Sequence, residues 1–296
     1  MPAKFLYKIK SFFNKDDVRE VMENKLYFDL FYKQFNISLP KIVMYNHRKM
    51  FVVNKKCIEI NSANEFKLLI DEIFSQNPSF DSVFIKKTYW SYGGDKIYKI
   101  FPAQVKTDPD MISNLYSEII KTGFLFQETV EQYPDLNKLT PSCLNTMRID
   151  TFIDSDGKIE VMSGYIQMSI SNHHADNISS GGCAVVIDLA TGKLKEEGFL
   201  SLSKYGVKTL TVHPITNITF ENFTIPFFSE AKELVLQAAS YMPGLRMDGW
   251  DVAIGPSGPI LIEGNSDYDN TGNDLADGGY RANRVFRKAL HEINFL

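Results

Sequence analysis

The chain has 296 residues, 44% of them hydrophobic and 23% charged, with a formal net charge of −4. That length supports a sizeable core, and the charge balance gives no global basic field for nucleic acid. Three scattered cysteines (Cys57, Cys143, Cys183) with no CxxC pair argue against a disulfide framework or a zinc site. No apolar run approaches the roughly 18 residues of a membrane span, and the lysine-bearing N-terminus lacks the long apolar core of a signal peptide, so a cytoplasmic setting is expected.

In chain order, residues 1–36 are predicted to be helical, since Val18, Met22, Leu26, Phe28 and Phe31 recur at three- and four-residue spacing. Pro40 in "NISLP" closes that region. "KIVMYNHRKMFVV" predicts two short strands around a polar turn at Asn46–Arg48. Ser62 with Glu65 three residues on forms a capping box that opens a helix through "SANEFKLLIDEIFSQN". "DSVFIKKTYW" and "KIYKIF" predict two strands joined by a glycine turn. "DPDMISNLYSEIIKTG" predicts a helix ending at Gly123, and "FLFQETV" another strand. "LNTMRIDTFIDSDGKIEVMSGYIQMSI" is a hairpin with its turn at Asp154–Gly157, and "GCAVVIDLATGKL" a further strand and turn. "FFSEAKELVLQAASYMP" is a helix stopped by Pro243, "GWDVAIGPSGPILIEGN" a third hairpin, and "GGYRANRVFRKALHEINF" a terminal helix. Strand pairs and helices mix without regular βαβ alternation, which favours α+β with antiparallel sheets.

The third hairpin carries the first chemical signal. With a five-residue loop, 255–259, Ile254 opposes Ile260 and Asp251 falls opposite Glu263. Trp250, Val252, Ile254, Ile260 and Ile262 then share a core face, and Asp251, Glu263 and Asn265 share the other. Two carboxylates directly across a strand pair repel unless a cation compensates. Mg²⁺ takes oxygen ligands, one or two carboxylates among them, together with phosphate oxygens. The plainer reading is a solvated polar face with Asn265 as a helix cap. A phosphate partner would need cations and close backbone approach. "VFIKKTYWSYGGDKI" supplies Lys86, Lys87 and Gly93–Gly94, though such a run is equally an ordinary solvated turn, and it is no Walker A loop.

The order of lysine strand, glycine turn, "QETV", "NTMRI" and the "DV…EGN" hairpin resembles the ATP-grasp superfamily. The sugar-transfer-associated branch is the closer match, on "NTMRI" (145–149), "ADNISSGGCAVVIDLATGKL" (175–194), "HPIT" (213–216) and 249–265. The resemblance runs from about residue 24 to the C-terminus. It implies an α+β ATP-grasp fold, with two lobes whose antiparallel sheets sandwich ATP and with a truncated N-terminal domain. The implied division is an N-terminal helical and linker region at 1–80, a lid subdomain at 81–130 and a catalytic subdomain at 131–296.

On matching positions, the resemblance places Lys25 at the start of the linker helix, reaching ATP phosphate, and Lys87, with Lys86 as fallback, as the lid's phosphate lysine. Gln127, Glu128, Thr129 and Val130 become the adenine-binding hinge strand, with Asp135 or Gln132 on the ribose. Arg148 faces the transferred phosphate, and Asp251, Glu263 and Asn265 hold Mg²⁺. Asp176, Asn177, His213 and Asp267 are implied to line the acceptor side, and His173 or His174 offers a base toward an amine. Two departures from the pattern touch the lid: Thr88 stands where the family has proline, and Lys96 where it has a second glycine.

The expected function is an ATP- and Mg²⁺-dependent carboxylate–amine ligase working through an acyl-phosphate. Its substrates would be a small-molecule or saccharide-linked carboxylate and an amine, in capsule or O-antigen biosynthesis, with a homodimer or a glycosyltransferase complex as assemblies. A catalytically degenerate nucleotide-binding partner of such a complex and a kinase that stops at phosphoryl transfer are the alternatives.

Overall fold

The computed structural model describes residues 3–89, 96–170, 181–200, 206, 208–268 and 279–294. Three short helices stand where one helical region was expected: α1 (Ala3–Phe13), α2 (Asp16–Glu23) and α3 (Lys25–Lys33). Asparagines interrupt the apolar periodicity. Asn24 accepts the backbone N–H groups of Leu26 and Tyr27 at 3.0 and 3.3 Å, so it caps the start of α3.

The chain divides into two units. One comprises 24–29 and 40–130; the other comprises 1–23, 30–39 and 131–296. Residues 40–80, expected to go with the N-terminal helices, therefore share a core with 81–130.

In the first unit, strands β1 (Ile42–His47), β2 (Met50–Val53), β3 (Lys56–Glu59), β4 (Val83–Lys87), β5 (Ile97–Ile100) and β6 (Gly123–Glu128) form one antiparallel sheet in the order β3-β2-β1-β6-β4-β5. Strand β3 was not foreseen; its sequence, "KCIE", is mostly exposed and shows no apolar alternation. Helices α4 (Ala63–Gln76), α5 (Pro102–Thr107) and α6 (Pro109–Ile119) contribute to a core with one sheet face, in which Phe66, Ile70, Val105, Ile112 and Ile119 meet Ile85, Phe124 and Phe126. The capping box is present with a shift: Ser62 accepts from the Glu65 N–H, while the Glu65 carboxylate accepts from Asn61 rather than Ser62. Helix α6 ends at Ile119, and Gly123 instead opens β6, where a Cβ would meet Thr88 Oγ1 at 2.8 Å.

In the second unit, β7 (Thr146–Ile153), β8 (Ile159–Met168), β9 (Cys183–Ile187), β10 (Leu194–Leu200), β11 (Thr209–Leu210), β12 (Met247–Gly255) and β13 (Gly258–Asn265) form an antiparallel sheet ordered β11-β10-β9-β8-β7-β12-β13. The β7–β8 turn lies where expected: Asp154 Oδ1 accepts from Asp156 and Lys158, and Gly157 takes φ +81°. Helix α7 (Pro134–Leu139) precedes β7 in the chain, and helix α8 (Phe228–Ser240) packs along β7, β8, β12 and β13. The terminal helix, α9 (Arg284–Glu292), is shorter than predicted and joins α1 against Phe152 and Met247. All nine residues of β12 are buried, as a strand covered on both faces must be.

Candidate active site

The β12–β13 hairpin reaches the expected Asp251–Glu263 pairing by another route. Its loop has two residues, Pro256 and Ser257, between the paired Gly255 and Gly258, and Ile254 opposes Pro259 rather than Ile260. A bulge between Asp251 and Val252 then adds Ile262 as an extra residue on β13 and restores the pairing of Asp251 with Glu263. Consequently Leu261, fully buried opposite Val252, anchors the core in place of the half-buried Ile260 and Ile262.

On its other edge Asp251 pairs with Arg148 of β7. Cross-strand partners share a face, so Glu263, Asp251 and Arg148 form a row across three adjacent strands. Sequence reading had not placed Arg148 in register with the metal candidates. Arg148 Nε donates to Asp251 Oδ1 at 2.8 Å and Nη2 to Oδ2 at 3.0 Å, a bidentate fork between largely buried side chains. Asn265 Nδ2 donates to the same Oδ2 at 3.3 Å. Burial pushes the Asp251 carboxyl up, Arg148 opposes that, and the neighbouring Glu263 adds to it. Two carboxylates and an amide oxygen on one face are all hard donors, so this set fits Mg²⁺. Among the described residues no group of three or more His, Cys, Asp or Glu side chains converges as a metal site.

The next pairs along carry the support of this row, which the sequence reading missed. Gly249 lies between Asp150 and Asn265 in register. A Cβ there would meet Asp150 Oδ1 at 2.9 Å and Arg148 Cδ and Tyr268 Cδ1 at 3.0 Å. Asp150 accepts from Ser163 Oγ at 2.7 Å and Tyr280 OH at 3.3 Å; burial raises its carboxyl to about 6 against the pull of Arg148. From α1, buried Lys10 donates to the Tyr268 carbonyl and lies over its ring. Asn14 binds both ends of the hairpin, donating to Met247 and Ser266 carbonyls at 2.9 and 3.0 Å and accepting from the Arg246 and Met247 N–H groups. A polar asparagine just past an amphipathic helix gives no local sign that it binds residues more than 230 positions away.

Within the other unit, alternation along β4 separates the two lysines. Lys87 pairs with Phe124, on the face that carries Ile85 and the helix-packed core; Lys86 pairs with Leu125 on the opposite face, which also carries Gln127. The Lys25 N–H donates to the Thr88 carbonyl at 2.8 Å, so the start of α3 adjoins the end of β4. Glu128 Oε1 accepts from the Lys41 N–H at 2.9 Å, and Thr129 Oγ1 bonds to Ser82. Val130 ends this segment of the unit. Lys96 takes φ +53°, a conformation that glycine adopts without strain, and its ammonium pairs with Glu118.

Several expected residues have hydrogen-bond or ion-pair partners of their own. His213 is fully buried, with Nε2 at 2.8 Å from the Ser169 carbonyl and 3.0 Å from Thr140 Oγ1, and with Nδ1 accepting from Ile215 and Thr216. Burial lowers its pKa, and a neutral ring suits these bonds. His213 is thus a turn residue with both ring nitrogens used. Gln132 knits the 131–145 segment through Asn137, Thr140, Cys143 and Asn145. Asp135 is exposed and paired with Lys138 at 2.5 Å, and exposed Asp267 lies 4.0 Å from Arg19. Burial pushes the Cys183 thiol up to about 12, consistent with a structural cysteine. Gly93, Gly94, His173, His174, Asp176 and Asn177 lie outside the described residues.

Two antiparallel sheets in separate α+β units, one bearing a lysine strand and the other an acidic hairpin, are the parts of an ATP-grasp fold. Solved structures with that fold are similar along most of the chain. D-Cycloserine synthetase DcsG matches at 12% identity and TM-score 0.54, over 98% of this chain and 80% of its own. D-Alanyl-alanine synthetase A from Vibrio cholerae O1 biovar eltor matches at 13% and 0.53, over 93% of this chain and 65% of its own. Biotin carboxylase from Campylobacter jejuni matches at 9% and 0.52, over 92% and 46%. The chain thus spans less than two thirds of the Vibrio synthetase. Comparison with curated protein sequences gives no match. The family described as sugar-transfer associated ATP-grasp matches residues 5–287, and the chain belongs to that family.

Proposed function

We propose that this protein is an ATP- and Mg²⁺-dependent carboxylate–amine ligase that forms an amide through an acyl-phosphate, in bacterial surface polysaccharide biosynthesis. The observation that carries the reading is the row Glu263–Asp251–Arg148, which sets paired carboxylates beside an arginine fork on one sheet face. Family membership and the similarity in fold to ligases support it.

Asp251, Glu263 and the Asn265 amide oxygen would hold Mg²⁺, which when bound supplies charge neutralisation at phosphoryl oxygens. Arg148 would bind oxygens of the transferred phosphoryl group with its planar fork. Lys86, on the sheet face away from the helices, is the better-placed phosphate lysine of the pair; Lys87 and Lys25 lie at the same end of that unit. The strand end at Gln127–Val130 offers main-chain groups to an adenine, and Asp135 a carboxylate to a ribose. Asp176, Asn177 and Asp267 remain the acceptor-side candidates.

In the first step a substrate carboxylate oxygen attacks the γ-phosphorus and the bond to the β,γ-bridging oxygen breaks, releasing ADP. An amine nitrogen then attacks the acyl carbon, phosphate departs with the C–O electron pair, and the amine proton leaves to a base. Positively charged side chains lower both barriers by meeting charge where it develops. Candidate sugar acids and amines incubated with Mg·ATP should yield amine-dependent ADP and phosphate, falling at least about a hundredfold in Glu263→Gln. A folded protein that releases no ADP with any acid–amine pair, or a Glu263→Gln variant as active as wild type, would overturn the reading.

A further inference from the structure

We propose that Arg148 and the divalent cation compete for Asp251, so that the arginine is held on the metal ligand until the cation arrives and is released by it. This rests on the assignment of Asp251 as a metal ligand. Both Asp251 oxygens are already engaged: Oδ1 by Arg148 Nε at 2.8 Å, and Oδ2 by Arg148 Nη2 at 3.0 Å and Asn265 Nδ2 at 3.3 Å. A Mg²⁺ ion sits about 2.0–2.1 Å from a carboxylate oxygen and competes for its lone pairs with those three N–H groups, which take most of the roughly four that a carboxylate offers. It also repels the guanidinium, and in a largely buried site that repulsion is little screened. Cation entry therefore breaks the fork and turns the Asn265 amide, which now presents its nitrogen to Asp251, so that its oxygen faces the ion.

The released arginine has a place to go. The Tyr268 ring lies 5.6 Å from its Cζ, and Asp150, two residues along on the same strand face, attracts it. In the resting protein the fork is spent on Asp251; with the cation in place it is free for phosphoryl oxygens. The pair thereby couples two events, so that the arginine is offered to phosphate once the cation is loaded.

The test uses the full chain with Mg²⁺ alone, without nucleotide. The side-chain ¹⁵Nε–H resonance of Arg148, assigned by its loss in Arg148→Lys, is followed as Mg²⁺ is added, and binding is measured in parallel by calorimetry. Competition requires that the resonance move toward that of an unpaired arginine with the same midpoint as Mg²⁺ binding. Arg148→Lys keeps the charge but loses the fork, so it should bind Mg²⁺ about fivefold or more tighter than wild type, whereas simple charge repulsion leaves the affinity unchanged. A resonance unmoved at saturating Mg²⁺, or equal affinity in Arg148→Lys, overturns the proposal. Asp251→Asn separates this from the underlying assignment. If that variant binds Mg²⁺ as wild type does, the metal assignment itself fails; if it loses Mg²⁺ while Arg148 stays unmoved in wild type, only the competition fails. The wild-type resonance needs no variant to fold, apart from the one used for assignment.

Discussion

Gly249 lies two residues before Asp251 on the middle site strand, and three neighbours fill the space its side chain would take. Asp150, Arg148 and Tyr268 all approach within about 3.0 Å of a Cβ built there. Gly249→Ala is therefore expected to cost about 1–3 kcal/mol by overpacking, and to move Arg148 off Asp251. Urea denaturation measures the first effect, and the Arg148 side-chain resonance reports the second. On the neighbouring residue, burial raises the Asp248 carboxyl from its ordinary 3.8 to about 8; Lys10 opposes the shift and Asp150 and Glu23 add to it. Between those values the folded protein holds a proton that the unfolded chain has released, so this group's contribution to stability is full below about pH 4 and is lost as pH rises toward about 8. Asp248→Asn removes this dependence. Its urea midpoint should fall less steeply than that of wild type between about pH 5 and 8, and parallel curves would contradict the assignment.

At the scale of elements, the site depends on strands being held in register from outside the sheet. The β12–β13 pairing of Asp251 with Glu263 was legible in the sequence because polar and apolar residues alternate cleanly there. The loop was not, for an arithmetic reason: a two-residue turn followed by a one-residue bulge gives the same Asp251–Glu263 pairing as a five-residue loop. Only the burial of Leu261 instead of Ile260 and Ile262 separates the two. Helix α1 was read as a helix but not as a brace. Its last turn leads into Asn14, whose four side-chain hydrogen bonds join the start of β12 to the residue after β13. Asn14→Ala strands several of those buried partners, at a cost on the order of 2–4 kcal/mol. Thermal unfolding should show the loss, together with weaker Mg²⁺·nucleotide binding as the hairpin end loosens.

For the whole molecule, local signals carried the fold class and most elements, since caps, turns and strand alternation are short-range. Elements whose cause is long-range were missed. Strand β3 exists because β2 offers it an edge, and β10 because β9 does; neither has an apolar pattern that stands alone. The site was legible in the same proportion. Asp251, Glu263 and Asn265 share one face as the sequence implied, whereas Arg148 joins them only through the β7–β12 register, which the sequence did not reveal. By contrast, His213 and Gln132 are used up by backbone groups that their neighbours in sequence do not reveal, and Lys86 and Lys87 are told apart only by strand register. No described helix is long and apolar enough to cross a membrane. The central claim is that the acidic hairpin holds the cation that accompanies ATP. It is tested most directly by calorimetric titration of a non-hydrolysable ATP analogue into wild type and Asp251→Asn, each with Mg²⁺ and with chelator. Wild type should bind the nucleotide markedly tighter with Mg²⁺, and Asp251→Asn should show little or no such gain. Equal Mg²⁺ dependence in both proteins, or nucleotide binding by wild type that ignores Mg²⁺, would contradict it.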